Sequence, residues 1–358
     1  MSKDAKATAD KKRPSKPKFK CCKGFRAQRR SIVMKVSGKA GSKAMRHAER
    51  IQRIMTLLER AVVADLTTGI SVFKRRIDTN KLEKLLDEGK FDEAMNTIPW
   101  DNLPEDLERI EGNLERAVVG ASEESIKVLP APKAAAIVGT ANPKVREFIA
   151  QQVGNLVVDI TEESRKSVRN AITASFDQAL TPRRAAKLMQ ETVGLTEKQN
   201  FQLMNRQLRE FEKRDRLRGR LTSLQNRGLG TSKSALKIKR DLSNLTDSKI
   251  EKRISTSALR AQKQRSITIA RTELTRATNQ GQIETWITAS NDGLIDGDQA
   301  RKVWVVVPDD RLSNICADLD GKSVGLNEKF IVAQTGEAVD GPPAHPNCRS
   351  AVSLKFEE

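Results

Sequence analysis

From Ala44 to Trp286 the apolar side chains recur at intervals of three and four, and this periodicity constrains the fold more than any other feature of the chain. Such spacing lines one face of an α-helix. Ile51, Ile54, Met55, Leu58 and Val62 form a first stripe. Leu82, Leu85, Leu86 and Phe91 form a second, closed near Pro99, and Leu107, Ile110, Leu114 and Val118 a third, opening at Asn102 or Pro104. Pro130 and Pro132 punctuate the pattern. Asn142-Pro143 then offers an N-cap with proline at the first helical position, ahead of Phe148, Ile149, Val153, Leu156, Val157 and Ile160. Thr161 to Ser164 could refresh the cap before Val168, Ile172, Phe176 and Leu180. Thr181-Pro182 opens a helix holding Ala186, Leu188, Met189 and Val193, with Gly194 at its end. Aromatic residues make up 4% of the chain and Tyr is absent, so these stripes pack through Leu, Ile, Val and Ala. The expectation is a helix-rich, extended protein with modest cores, and 358 residues suffice for two or three domains.

The net charge of +19 is unevenly placed. Residues 1–50 hold 17 Lys and Arg against 3 Asp and Glu, and residues 201–276 hold 20 against 7. The rest is mildly acidic. Blocks of this kind attract polyanions, DNA first, although a solubilising tail and a solvated helix face would look the same. Lys11, Lys12, Arg13, Lys18, Lys20, Arg29 and Arg30 are the candidate DNA contacts of the first block, and Arg214, Arg216, Arg218 and Arg220 those of the second. Only Phe201 and Phe211 accompany the second block's Arg-rich limb, which argues against base stacking on single strands and fits phosphate contact or an acidic protein surface. No apolar run reaches the roughly 20 residues of a membrane helix, and no apolar segment follows the basic start as in a secretory signal. A cytosolic setting follows, with Cys21, Cys22 and the other two cysteines reduced.

These patterns divide the chain into a basic N-terminal arm, disordered or extended, over 1–43; an elongated helical body over 44–195; a basic helical hairpin over 196–265, broken at Gly228 and Gly230; and a C-terminal α+β module over 266–358. The last begins as a helix through Ile267, Ala270, Leu274, Ala277 and Ile283 to Trp286. Beyond Gly293 the pattern turns β-branched, with a strand over Lys302–Val307, a turn at Pro308-Asp309-Asp310 and further short strands near Val324 and Phe330–Val332. The fold class is therefore mainly α, with a small sheet packed on the Ile267–Trp286 helix.

Scarce residues gather in this module. It holds His345, one of two histidines, together with Cys316, Cys348, Trp286 and Trp304. The His-x-x-Cys spacing of His345 and Cys348, with Cys316 at a distance, suits a structural zinc site, and Asp318 could supply a fourth ligand. A Cys316–Cys348 disulfide, or packed thiols beside a hydrogen-bonded histidine in a Pro-rich turn, would account for the same residues. Asp309, Asp310, Asp318, Asp320 and His345 could imitate a metal nuclease centre, but general acid–base work needs such groups converged in a cleft. Asp309-Asp310-Arg311 reads more simply as a turn, and Asp320-Gly321 as a hairpin turn. No nucleophile elbow, Walker or HExxH pattern is present, so no catalytic residue is assigned and the chain reads as a non-enzyme. On a helix Arg271 and Glu273 point to different faces. Glu273 could lock the helix to the sheet through Arg311 or Arg349, or lie on a solvated face.

The order of these pieces resembles the C-terminal module of the Mu protein F-like phage minor head family. The resemblance rests on Ala270-Arg271-Thr272-Glu273, Gly281, Trp286, Lys302-Val303-Trp304, Asp310-Arg311, Cys316, Leu319-Asp320-Gly321, Phe330 and Pro342-Pro343-Ala344-His345-Pro346-Asn347-Cys348-Arg349. The region from Asn142 to Gly194 looks similar to the family's upstream part, more weakly. Two departures lower the count of metal ligands. Leu312-Ser313 stands where many relatives have a Cys or Thr-Cys, and Ser350 where many have a further Cys. The resemblance implies a virion protein in the head interior or at the portal vertex, made in the host cytoplasm, that acts in head morphogenesis and DNA packaging. Its implied partners are the portal protein, scaffold or major capsid protein, and double-stranded DNA bound nonspecifically. An internal DNA-binding protein ejected with the genome is the first rival, and a metal-dependent nuclease the second.

Overall fold

The computed structural model describes residues 42–130, 143–178, 180–307 and 312–357. The N-terminal arm with its seven candidate DNA contacts, Cys21, Cys22, Pro132, Asn142 and the turn residues Asp309, Asp310 and Arg311 lie outside the described residues.

The order of elements follows the apolar periodicity closely: α1 (Ser42–Arg76), α2 (Thr79–Asp87), α3 (Phe91–Thr97), a single 3-10 turn, α4 (Leu103–Leu107), α5 (Arg109–Ile126), α6 (Pro143–Asp177), α7 (Pro182–Thr192), α8 (Glu197–Asn226), α9 (Lys233–Ser243) and α10 (Asp247–Asn291). The C-terminal part adds β1 (Ala300–Val305), α11 (Asn314–Leu319), β2 (Ser323–Gly325), β3 (Phe330–Ile331), β4 (Ala338–Val339) and β5 (Ala351–Phe356). The fold class is mainly α with a small C-terminal α+β module, as the periodicity requires. Helix ends sit where local chemistry puts them. Thr196 forms a capping box with Gln199 at the start of α8, which satisfies two otherwise orphaned N–H groups. Gly194 ends α7's turn at a positive φ of 78°, a backbone state that costs glycine nothing.

Several boundaries differ from the sequence reading. The stripe ending at Phe91 is divided between α2 and α3, because Gly89 takes a positive φ of 73° between them. Thr161 starts no new helix. It lies inside the 35-residue α6 and bonds back to Val157 O at 2.7 Å. The basic hairpin is α8 paired with α9, and the third helix, α10, runs without a break through residues 265 and 266 for 45 residues, about 68 Å at 1.5 Å per residue. Asp320-Gly321 is no hairpin turn, since it follows α11 and leads the chain into β2.

The two cores meet on α10. Its middle turns, through Ala270, Leu274 and Ala277, pack into the helical core with Ile51, Leu66, Phe73, Ile110 and Leu114. Its last turns, through Ile283, Trp286 and Ala289, pack into a second core with Trp304, Phe330, Cys316 and Cys348. The sheet, of order β2-β1-β5 with both pairings antiparallel, stands between them. Successive side chains of a strand face opposite ways. Val303, Val305 and Ala351 accordingly join the helical core, while Ala300, Trp304, Val306 and Val352 join the second. A strand buried on both faces explains the uninterrupted apolar run Val303-Trp-Val-Val-Val307. Trp304 is fully buried, edge-on to Phe330 with ring centres 5.3 Å apart. Strand β5 has no counterpart in the sequence reading, for Ala351–Phe356 is short and its Ser353 is buried in mid-strand.

Helices α5 and α10 are in close contact at Gly281. A Cβ there would stand 2.9 Å from Val118 Cγ1 and 3.0 Å from Val118 O. Gly281→Ala gains up to about 1 kcal/mol of helix propensity but overpacks this contact, at about 1–3 kcal/mol. The expected outcome is a lower melting temperature with helicity retained, measured by circular dichroism. An unchanged melting temperature would mean that the two helices can part at no cost.

Candidate functional site

The C-terminal Pro-His-Pro-Asn-Cys-Arg segment lies along one polar face of α10. Thr268, Thr272, Thr275 and Asn279 are spaced four, three and four apart, which stacks them on a single helix face. Asn347 Nδ2 donates to Thr268 Oγ1 at 3.3 Å and Asn347 N to Thr272 Oγ1 at 3.1 Å. Thr275 Oγ1 donates to Cys348 O at 2.8 Å. Asn279 closes the series: its Nδ2 donates to Ser350 O at 3.3 Å and its Oδ1 accepts from Val352 N at 2.7 Å. From α1, Gln52 Nε2 donates to Arg349 O at 2.7 Å. The segment has no regular partner for its backbone, so side chains of α10 and α1 supply one. Buried backbone groups left unpaired would cost about 1–3 kcal/mol each. Asn347 holds a positive φ of 62° and the Pro342-Pro343 bond is cis. Both shape a tight turn that brings His345 and Cys348 back towards α11.

Arg271, Thr272 and Glu273 divide their work among three neighbours. Arg271 makes a two-pronged pair with Glu59 of α1 at 3.0 and 2.9 Å. Thr272 holds Asn347. Glu273 is buried and accepts from Gln152 Nε2 of α6 at 2.8 Å and from Arg276 at 3.2 Å. It thus locks α10 to α6, and the expected pairing with Arg349 is replaced by Gln152 and Arg276. Burial raises its carboxyl above the ordinary value, against the pull of Arg276 and Gln152. Asp320, also buried, accepts from Val306 N at 2.9 Å through Oδ1, and Gly321 N donates to Trp304 O at 2.8 Å. These two residues tie the end of α11 to β1.

Cys316, His345 and Cys348 converge. Their ligand atoms all lie within 4.8 Å of one another. Cys316 Sγ is 3.0 Å from His345 Nε2 and 3.5 Å from Cys348 Sγ. Both cysteines are buried free thiols. Cys316 stands on the first turn of α11, whose N-cap Ser313 accepts from Cys316 N and lies 2.7 Å from His345 Nε2. The hydrogen bond with Cys348 lowers the Cys316 thiol to about 7 against the effect of burial. The same bond, together with burial, raises Cys348 well above the ordinary thiol value. Asp318 is exposed and bonded to Gln334, so it stands apart from the trio. Neither Asp318 nor Asp320 joins His345, and the trio is the one cluster of three or more metal-ligating groups among the described residues.

The basic hairpin is more polarised than its composition suggests. Arg214 is buried, stacked 4.9 Å from the Phe211 ring and ion-paired with Asp215 and Asp247. Its role is to tie α8 to the start of α10, and it is withdrawn from the candidate DNA contacts. Arg216, Arg218 and Arg220 are exposed. Residues 216–240, which include the α8–α9 turn, carry 8 Lys and Arg and no Asp or Glu.

Residues 199–353 match the family model described as Phage Mu protein F like protein. Over this segment, from α8 into β5, the chain is similar to that family, in keeping with the motifs of the final module. The family is one of phage head morphogenesis. No curated protein and no solved structure matches the chain. None of the described helices is long and apolar enough to cross a membrane.

The sequence patterns give no sign of a role for His47, the second histidine. It is buried, bonded through Nε2 to Gln282 Oε1 at 2.7 Å, and 6.2 Å from the Trp286 ring. Burial is the main cause that lowers its pKa below 6.5. The unfolded chain therefore binds a proton as pH falls through 6.5 while the folded chain does not, so stability drops over that window. Urea midpoints measured from pH 7.5 down to 5.5 should fall more steeply for the native chain than for His47→Gln. Parallel curves would exclude His47 as the source.

Proposed function

We propose that this protein is a minor head protein of a phage, acting as a structural assembly factor at the portal vertex. The helical core would dock on portal protein while the α8–α9 tip contacts packaged DNA. The observation that carries the reading is the coincidence of the family match with a hairpin tip rich in Lys and Arg and free of carboxylates. Phosphate contacts carry no sequence information, so DNA binding would be nonspecific and salt-sensitive. The N-terminal basic block would add to it. Scaffold or major capsid protein would be further partners, and the head interior the place of residence.

Co-expression with portal protein should give a complex that survives about 0.5 M salt, where phosphate-driven contacts fade and apolar docking persists. No complex at either low or high salt would shift the reading to a DNA-bound internal protein ejected with the genome. Separately, replacing Arg216, Arg218 and Arg220 together by Ala should weaken duplex binding. The slope of log affinity against log salt should fall by about 0.9 for each phosphate no longer neutralised, with portal binding unchanged. An unaltered slope would remove the hairpin tip from the DNA interface.

A further inference from the structure

We propose that Cys316, His345 and Cys348 are the protein ligands of a single zinc-class divalent cation, which staples α11 and the 342–349 turn to each other. The ligands come from two segments that share little regular structure. Helix α11 has six residues, and the turn is held by side chains of α10 and α1.

Three features of the cluster point to a metal. The first is the ligand form of the histidine. His345 Nδ1 lies 2.8 Å from Pro346 O. A carbonyl only accepts, so Nδ1 carries the proton and Nε2 presents its bare lone pair to Cys316 Sγ. This outer hydrogen bond is the usual way a metal-binding imidazole is oriented and its tautomer fixed. The second is the spacing. Zinc–sulfur bonds of about 2.3 Å and zinc–nitrogen bonds of about 2.0–2.1 Å in a tetrahedron put ligand atoms roughly 3.5–3.8 Å apart. The Cys316–Cys348 separation of 3.5 Å is close to that, and the Cys316–His345 separation of 3.0 Å is about half an ångström shorter, so a bound ion would part these two slightly. The third is the room beside the trio. A cavity of about 20 Å³ borders Ser313, Cys316 and His345, enough for one water. Ser313 Oγ lies where it would hold such a water or bind the cation itself. Three protein ligands with a water in the fourth position therefore fit the site, and Ser313 marks the corner where a fourth protein ligand would stand.

The test uses the full chain, purified without reductant and without added chelator. Elemental analysis should find about one zinc per chain. Cobalt loaded in its place should show thiolate-to-metal charge transfer and tetrahedral d–d bands. His345→Ala and Cys348→Ser should each lose stoichiometric metal, and Ser313→Cys should bind it more tightly by completing the tetrahedron. Should the first two variants fail to fold, chelation of the native chain still decides the matter: it should lower the melting temperature, and zinc should restore it. Three results would overturn the proposal. One is a chain with neither zinc nor cobalt binding. Another is metal binding that all three substitutions leave unchanged. The third is an intact mass two hydrogens short, with Cys316 and Cys348 joined as a disulfide.

Discussion

The structure depends on one helix, α10, and on its tolerance for buried polar groups. It touches α1 through Arg271–Glu59 and Gln282–His47, α5 at Gly281, α6 through Glu273–Gln152, and the C-terminal segment through Thr275 and Asn279. From about residue 265 to 289 this helix is covered over most of its circumference, with Arg276 left exposed, so it has no clean division into an apolar and a solvated face. Its inward polar residues must instead be matched one by one, because a buried donor or acceptor without a partner costs more than a hydrogen bond returns. Gln262, Thr275, Thr278, Asn279, Gln282 and Thr285 are buried and each is hydrogen-bonded. Such a network tolerates few substitutions and specifies one arrangement of its neighbours.

The family motif gains a physical meaning from this arrangement. Arg271-Thr272-Glu273 puts three adjacent residues of α10 on three different partners: α1, the His-Pro-Asn-Cys segment and α6. The motif near the chain's end answers with its backbone, since Cys348 O, Arg349 O and Ser350 O all accept from side chains. The two motifs are some 75 residues apart in sequence yet form one seam. The same seam holds His345 and Cys348 opposite Cys316, so the convergence of the three is built on the rigid helix rather than on the turn itself. The module therefore cannot shift without disturbing the helical core that shares α10.

The basic regions show how composition and structure separate. By charge alone Arg214 equals its neighbours. In the fold Arg214 points inside, against Phe211, Asp215 and Asp247, while Arg216, Arg218 and Arg220 stay exposed on the stretch of α8 that leads to the hairpin tip. The difference lies in where α8 stops being packed: its last buried residue is Arg214.

Local chemistry written in the chain settled most of the helices and their buried stripes, because three-four spacing acts over a turn or two. The stripe through Leu107, Ile110, Leu114 and Val118 is nonetheless divided between α4 and α5, and the side-chain caps at Asp78, Thr196, Ser232 and Ser313 have no counterpart in the sequence reading. Local chemistry also marked β1 as a strand through its β-branched run; that the strand is covered on both faces came from the fold. The motif of the final module was legible too, but not what its residues touch. That Glu273 bonds Gln152, that His47 packs near Trp286 and that β5 pairs with β1 all depend on contacts between residues 46 to 239 positions apart. No short-range preference encodes such pairings. They follow from the three-dimensional requirement that most buried polar groups on α10 find partners, Ser266 Oγ being one that does not, and that both faces of the sheet be covered at once.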